Sequence, residues 1–278
     1  MKAELLDEIN KALGLGRNHF FRPLLEPLFA PAAQRFAEVA ARFDNDVATY
    51  GLRQAACRLL PRFAGEVQAQ GEENVPGEGP LLVVSNHPGT IDVVVIAARL
   101  PRPDLKIVVS GGVPFFRSLK STGEHLIFSG IDAIGKMNVL RSSIRHLQEG
   151  GAVLIFPNGG IDPDPSLMPG GPEAVETWSR SLDVMLRRVP NAQVLITAVS
   201  GVLHPRWLHS PVTWLQKGRR NRQKVAEFFQ VIQQMLFPKS LLVSPTVRFA
   251  EPLRLAPQGK EPLLPAIIAS AKAYYSQL

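Results

Sequence analysis

The 278-residue sequence contains a single cysteine, Cys57, so no disulfide can form within the chain. Structural disulfides are typical of oxidising compartments, and a single cysteine suits a reducing one. No partner motif surrounds Cys57, and we therefore expect it to be a small, buried apolar residue. These features exclude a small disulfide-stapled module.

Long hydrophobic runs are also missing. The longest apolar stretches, such as 93–98, are far shorter than the roughly 20 residues that a membrane-spanning helix needs. The N-terminus begins Met-Lys-Ala-Glu-Leu-Leu-Asp-Glu and has no uninterrupted apolar signal segment. We expect a protein that is soluble, or that lies on a membrane without spanning it.

The composition is that of a globular protein, with 45% hydrophobic and 20% charged residues and no repeat or low-complexity tract. The net charge of +7 comes from 31 basic and 24 acidic residues. Such an excess favours an anionic partner, which could be nucleic acid, an acidic membrane surface or a phosphorylated substrate. The charge alone does not choose among them.

The pattern of apolar residues predicts an α/β fold. Residues 1–62 are expected to form an N-terminal helical segment, and residues 63–278 the main domain. Short apolar runs after residue 62 predict strands at 63–69, 81–85, 106–110, 152–156, 194–199 and 243–249. Helical spacing predicts helices near 91–100, 138–149, 174–188, 221–236 and 266–275. Strands that alternate with helices indicate a mostly parallel central sheet flanked by helices.

One part of the N-terminal segment is unusually apolar. Residues 19–29 read His-Phe-Phe-Arg-Pro-Leu-Leu-Glu-Pro-Leu-Phe. The stretch fits shallow insertion at a membrane interface and fits packing on the main domain equally well.

The most informative stretch is residues 81–92, Leu-Leu-Val-Val-Ser-Asn-His-Pro-Gly-Thr-Ile-Asp. A buried strand is followed by Asn86 and His87, a Pro-Gly turn, and Thr90 as a helix cap. If His87 lies in the turn and Asp92 in the first turn of the helix, the carboxylate can fix the imidazole tautomer and leave the other nitrogen free to take a proton. The alternative is a histidine that caps the helix.

This motif resembles the first motif of the phospholipid/glycerol acyltransferase superfamily, which includes the lysophosphatidic acid acyltransferases. Residues 150–160, Gly-Gly-Ala-Val-Leu-Ile-Phe-Pro-Asn-Gly-Gly, are similar to the third motif, and residues 198–201 lie where the fourth is expected. The resemblance spans roughly residues 63–202. It implies that His87 is the general base that deprotonates an acceptor hydroxyl, and that Asp92 orients it. The hydroxyl would attack the thioester of acyl-CoA or acyl carrier protein directly, without an acyl-enzyme.

The sequence departs from the family pattern at two places. Asn158 stands where the third motif usually has glutamate, and Gly160-Ile161 replaces its threonine and arginine. In the second motif, Ala133 replaces the arginine that is thought to hold a substrate phosphate. Lys136 or Arg141 are candidate substitutes. We therefore expect the reaction class to be retained, with an acceptor that is not an ordinary glycerophosphate.

Two further groups of charged residues have competing interpretations. Five basic residues within 217–224 fit a solvated helix start, or docking to anionic lipid headgroups or to an acyl carrier protein. Asp162, Asp164 and Glu173 fit solvated loop residues, a replacement for the missing glutamate, or a cation site.

The sequence thus predicts an O-acyltransferase for a glycerolipid or related lipid acceptor. The candidate catalytic residues are His87 and Asp92; the candidate substrate-binding residues are Asn86, Asn158, Gly159, Gly160, Lys136 and Arg141. No metal or cofactor is expected, and the partners are the acyl donor, the lipid acceptor and an anionic membrane surface, not nucleic acid. The expected location is the cytoplasmic membrane face. The alternatives are a non-catalytic lipid-binding protein on this fold and an acyltransferase for a glycosylated or terpenoid hydroxyl.

Overall fold

A computed structural model describes residues 4, 6, 22–110, 114–130, 132–255 and 262–277. Its strands are β1 (Gln68–Gln70), β2 (Leu81–Ser85), β3 (Lys106–Ser110), β4 (Leu126–Ser129), β5 (Ala152–Ile155), β6 (Gln193–Ser200), β7 (Thr246–Phe249) and β8 (Leu253–Arg254). They form one sheet in the order β1-β7-β6-β2-β5-β3-β4, and β8 also pairs with β6. Strands β6, β2, β5, β3 and β4 run parallel to one another, while β7 and β8 run antiparallel to β6.

Helices cover both faces of the sheet. The longer helices are α1 (Arg22–Tyr50), α2 (Leu52–Leu59), α3 (Asp92–Arg99), α5 (Ala133–Gln148), α7 (Ser181–Arg188), α10 (Arg219–Leu236) and α11 (Leu264–Tyr275). Single-turn helices are α4 (Lys120–Gly123), α6 (Gly171–Ala174), α8 (Pro205–Leu208) and α9 (Pro211–Trp214). The predicted α/β architecture, with a mostly parallel sheet and an N-terminal helical extension, is confirmed.

Strand β2 lies at the centre of the sheet, and all five of its residues are buried. Successive side chains point to opposite faces of a strand. Leu81 and Val83 therefore join the core under α1, α2, α3 and α10, whereas Leu82 and Val84 join the core under α5, α7 and α11. Burial on both faces explains the continuous apolar run of this strand.

The N-terminal helices pack on the sheet domain. Val47 of α1 and Ala55 of α2 belong to the same apolar cluster as the sheet, and the ring of Phe29 meets that of Phe228 edge-on at 5.8 Å. Leu28 nevertheless remains 66% exposed. Residues 19–21 of the apolar N-terminal stretch lie outside the described residues, so its insertion at a membrane interface stays a prediction, as does the domain boundary at residue 62.

Several element predictions need correction. Residues 63–67 of the first predicted strand form only a single bridge, Ala64 to Val243, before β1 begins. The helix predicted at 174–188 is divided into α6, a 3-10 turn and α7. Strands β4 and β8 were missed because they are short and border polar turns. Cys57 is exposed rather than buried.

Among the helices that the structure describes, none is both long and apolar enough to cross a membrane.

Candidate active site

The site forms where the central strand ends. Strand β2 stops at Ser85 and helix α3 starts at Asp92, so residues 86–91 form a loop at the carboxyl edge of the parallel strands. The neighbours of β2 are β5 and β6, and therefore the loops after these strands lie on either side. Open α/β sheets bind their ligands at this edge.

The predicted pair of His87 and Asp92 is formed. The Nδ1 atom of His87 lies 2.8 Å from Oδ2 of Asp92, and Asp92 is fully buried while the His87 side chain is 31% exposed. The backbone N–H of Gly89 donates to the same carboxylate oxygen at 3.1 Å, which holds it in place. A carboxylate at Nδ1 selects the tautomer with the proton on that nitrogen, so Nε2 is left as the basic atom.

The loop after β5 fixes the backbone and the ring of His87. The His87 N–H donates to Asp162 Oδ2 at 2.9 Å, and the Asp162 N–H donates to the His87 carbonyl at 2.9 Å. Phe156 stacks on the imidazole, with ring centroids 4.5 Å apart and an angle of 28° between the planes. Contacts to the backbone of His87, to its Nδ1 atom and to one face of its ring therefore fix the position of the imidazole.

The electrostatic surroundings favour the protonated imidazole. Burial alone would lower the pKa of His87, but the charge and hydrogen bond of Asp92, with smaller contributions from Glu227 and Asp162, raise this pKa to about 9. His87 is therefore a stronger base than a free histidine, and it becomes neutral only on the alkaline side.

Sequence reasoning missed a second buried carboxylate, Glu227 of α10. It is 8% exposed and accepts hydrogen bonds from both the backbone N–H and the hydroxyl of Thr90. Burial raises the pKa of Glu227. The sequence contained a signal for this residue, because polar residues recur at helical spacing on one face of this amphipathic helix. All four are buried in the structure: Gln223, Glu227, Gln230 and Gln234.

Asn86 lies beneath the site and joins two strands. Its side chain donates to the Val199 carbonyl and accepts from the Val199 N–H, both at 2.8 Å. Its backbone N–H donates to the Tyr275 hydroxyl at 2.9 Å, and that hydroxyl donates to the Thr197 carbonyl at 2.8 Å. These contacts fix the end of β2 against β6, and substrate binding by Asn86 stays a prediction.

The predicted third-motif residues lie in the loop beside His87. The Asn158 amide donates to Asp162 Oδ1, and its oxygen accepts from Thr177 Oγ1 at 2.8 Å and from Arg220 Nη2 at 3.0 Å. Gly159 has a φ of +66°, which favours glycine. Gly160 lies against the guanidinium of Arg220.

Lys136 and Arg141 are placed differently from the other candidates. Both are exposed on α5, which follows β4. Strand β4 is three positions from β2 in the sheet, which corresponds to about 14 Å at the usual strand spacing. Substrate binding by these two residues stays a prediction.

The acidic loop residues are not solvated as a group. Asp162 and Asp164 are 2% and 0% exposed, whereas Glu173 is exposed. Asp164 accepts from the N–H groups of Gly201, Val202 and Leu203 at 2.8, 2.9 and 3.1 Å, which joins the loops after β5 and β6. Over the described ranges, no cluster of three or more acidic, histidine or cysteine side chains is arranged to hold a metal.

Comparison with known proteins agrees with this geometry. A family model described as Acyltransferase matches residues 66–199, which run from just before β1 to β6 and include His87, Asp92 and the loop after β5. Residues 66–199 are thus an acyltransferase domain. The match agrees with the motif resemblance to the phospholipid/glycerol acyltransferase superfamily over this part of the chain.

No curated protein matches the sequence at a significant level. Among solved structures, the chain is similar to the crystal structure of the 1-acyl-sn-glycerophosphate (LPA) acyltransferase PlsC from Thermotoga maritima. The two share 15% sequence identity with a TM-score of 0.44, over 98% of this chain and 88% of that one.

Proposed function

We propose that this acyltransferase moves a fatty acyl group from the thioester of acyl-CoA or acyl carrier protein to a hydroxyl of a glycerolipid or related lipid acceptor. His87 acts as the general base. The observation that carries the proposal is the bond from His87 Nδ1 to the fully buried Asp92 carboxylate, which leaves Nε2 of a partly exposed ring to take a proton.

The reaction needs one proton acceptor and no covalent enzyme intermediate. Nε2 of His87 takes the proton of the acceptor hydroxyl while that oxygen attacks the thioester carbonyl carbon. The tetrahedral intermediate then collapses, the carbon–sulfur bond breaks, and the imidazolium returns its proton to the departing thiolate. The products are an ester and a free thiol. Asp92 stabilises the imidazolium between the two steps, as expected of a buried carboxylate at Nδ1.

We further propose that the protein works at the cytoplasmic face of an anionic membrane. Two large apolar side chains at the end of α9 support this, since Trp214 is 65% exposed and Leu215, the next residue, is 82% exposed. The basic residues of 217–224 follow directly, and this combination suits an interface with acidic headgroups.

The experiment is thiol release from long-chain acyl-CoA and acyl carrier protein by the purified protein, with a panel of phosphorylated and non-phosphorylated hydroxyl acceptors. His87→Ala should reduce acceptor-dependent release by about 10²- to 10⁴-fold, the usual contribution of a general base. His209→Ala, which removes an exposed histidine, is the matched control and should leave the rate unchanged.

An absence of release over the whole panel, with lipid bound equally by the wild type and by His87→Ala, would instead support the non-catalytic lipid-binding alternative. Release that is equal in the wild type and in His87→Ala would refute the role of His87 as base.

A further inference from the structure

The first turn of α10 brings two arginines to the loop that follows β5. Arg220 Nη2 donates to the Asn158 side-chain oxygen at 3.0 Å. Arg219 Nη2 lies 3.5 Å from the Ile161 carbonyl, and its Nη1 donates to Gln223 Oε1 at 2.7 Å. The basic segment identified in the sequence is thus not only a solvated helix start, because two of its side chains reach the candidate active site.

The position of this turn is fixed. Gln223, one turn farther along α10, is fully buried. Its amide donates to the Pro88 carbonyl at 2.8 Å and to the Asp162 carbonyl at 2.6 Å. One side chain therefore ties α10 to the loop of His87 and to the loop after β5, and the guanidinium groups are held at the rim of the site.

A chain of hydrogen bonds connects the rim to the base. Arg220 donates to Asn158, Asn158 donates to Asp162, and Asp162 accepts from the backbone N–H of His87. Arg220 and the backbone of His87 therefore contact the same loop.

Neither of the two arginines is in direct contact with a carboxylate of the described residues. The partners of their guanidinium groups are amide and carbonyl oxygens, and among the described residues neither forms an ion pair within 4.0 Å. Burial, followed by repulsion from Arg220, lowers the pKa of Arg219, although attraction to the Asp162 carboxylate opposes part of this effect. A bound anion would relieve that repulsion.

The residues that differ from the usual third motif leave space for the guanidinium of Arg220. A Cβ atom at Gly160 would lie 3.4 Å from Arg220 Nη1 and 3.5 Å from its Cζ, so the guanidinium lies over the backbone at this position. Asn158 supplies a neutral oxygen where a glutamate would pair with Arg220 and cancel its charge. Gly159 has no atom within 4 Å of an added Cβ and leaves open space beside them.

We propose that Arg219 and Arg220 bind a phosphate ester of a substrate at the rim of the active site. They supply from α10 the cationic recognition that Ala133 and Ile161 do not provide. A guanidinium suits this task because its donors match phosphate oxygens and its charge is permanent. The inference rests on the proposed acyl transfer.

The test compares Arg220→Ala and Arg220→Lys with the wild type. Arg188→Ala, which removes an exposed positive charge from α7, is the matched control. Each protein is assayed with 1-acylglycerol 3-phosphate and with 1-acylglycerol as acceptors. The donors are acyl-CoA and the acyl thioester of N-acetylcysteamine, which carries no phosphate.

For the phosphate-bearing substrate, Arg220→Ala should lower kcat/KM by about 10- to 100-fold, the usual effect of losing a charged hydrogen bond. Arg220→Lys should retain part of the activity, and Arg188→Ala should retain all of it. A loss confined to 1-acylglycerol 3-phosphate identifies the acceptor phosphate, and a loss confined to acyl-CoA identifies the donor phosphate. An equal loss with all substrates, or no loss with any, overturns the proposal.

A binding measurement separates this inference from the proposed reaction. Isothermal titration with glycerol 3-phosphate needs no turnover, so it remains informative if the wild type transfers no acyl group. If Arg220→Ala binds glycerol 3-phosphate at least tenfold more weakly than the wild type does, the proposed phosphate site is supported even without acyl transfer. The same titration with coenzyme A covers the donor phosphate; equal binding of both ligands by the two proteins, or no binding of either ligand by the wild type, would refute the proposal.

Discussion

Replacing Asp92 by asparagine removes the main charge that raises the pKa of His87. That pKa is raised from 6.5 to about 9, which corresponds to at most about 3.4 kcal/mol at 1.36 kcal/mol per pKa unit. Glu227 and Asp162 contribute part of the rise and stay in place. We therefore expect Asp92→Asn to lower the pKa of His87 by about one to two units.

The assay measures how kcat/KM depends on pH, and the reaction is followed by the free thiol that it produces. In the wild type, the rate should increase with pH up to the pKa near 9, because only neutral His87 accepts a proton. In Asp92→Asn, the midpoint of this increase should move to lower pH. The maximum should also fall, by about 10²-fold or more, because asparagine no longer stabilises the imidazolium.

As the pH rises, the free energy of unfolding should decrease while the reaction rate increases. The folded-state pKa of His87 lies above the unfolded value, so the pair stabilises the fold fully below about pH 6.5 and loses this contribution as the pH rises through 9. The free energy of unfolding in urea should decrease across this interval in the wild type and much less in Asp92→Asn. Identical pH–rate midpoints in the two proteins would refute the assignment of Asp92 as the partner that sets the basicity of His87.

Two further predictions concern residues behind the dyad. Glu227→Gln keeps an acceptor for Thr90 but removes a negative charge, so the pH–rate midpoint should fall by less than about one unit; a rise in the midpoint would contradict this. Tyr275→Phe leaves the Asn86 N–H and the Thr197 carbonyl without their buried partner, and should lower the free energy of unfolding in urea by about 1–3 kcal/mol. An unchanged unfolding curve would show that these bonds contribute nothing to stability.

The parts of the site that were predictable lie close together in the sequence. Strand β2 is an uninterrupted apolar run, and His87 and Asp92 are five residues apart on the loop and helix that follow it. Local geometry is enough to bring them into contact. The same holds for the sheet, because fully buried parallel strands have a strong apolar signature.

The parts that were missed depend on distant segments. Glu227 and Arg220 reach the site because α10 packs across two loops that precede it by more than 50 residues. The sequence left several interpretations of Asp162 open, among them a solvated loop residue, but its carboxylate accepts hydrogen bonds from a backbone N–H and an amide. No local pattern reveals which loop a helix will cover.

Several contacts that surround His87 and Asp92 come from residues beyond the part of the chain that matches the family model. The family match ends at residue 199, yet the carboxylate at Thr90, the two rim arginines and the hydroxyl that holds Asn86 all come from later residues. A fragment cut at the family boundary would keep the dyad in its sequence while losing the groups that position and surround it. A fragment that keeps all of these contacts would have to extend to the final helix.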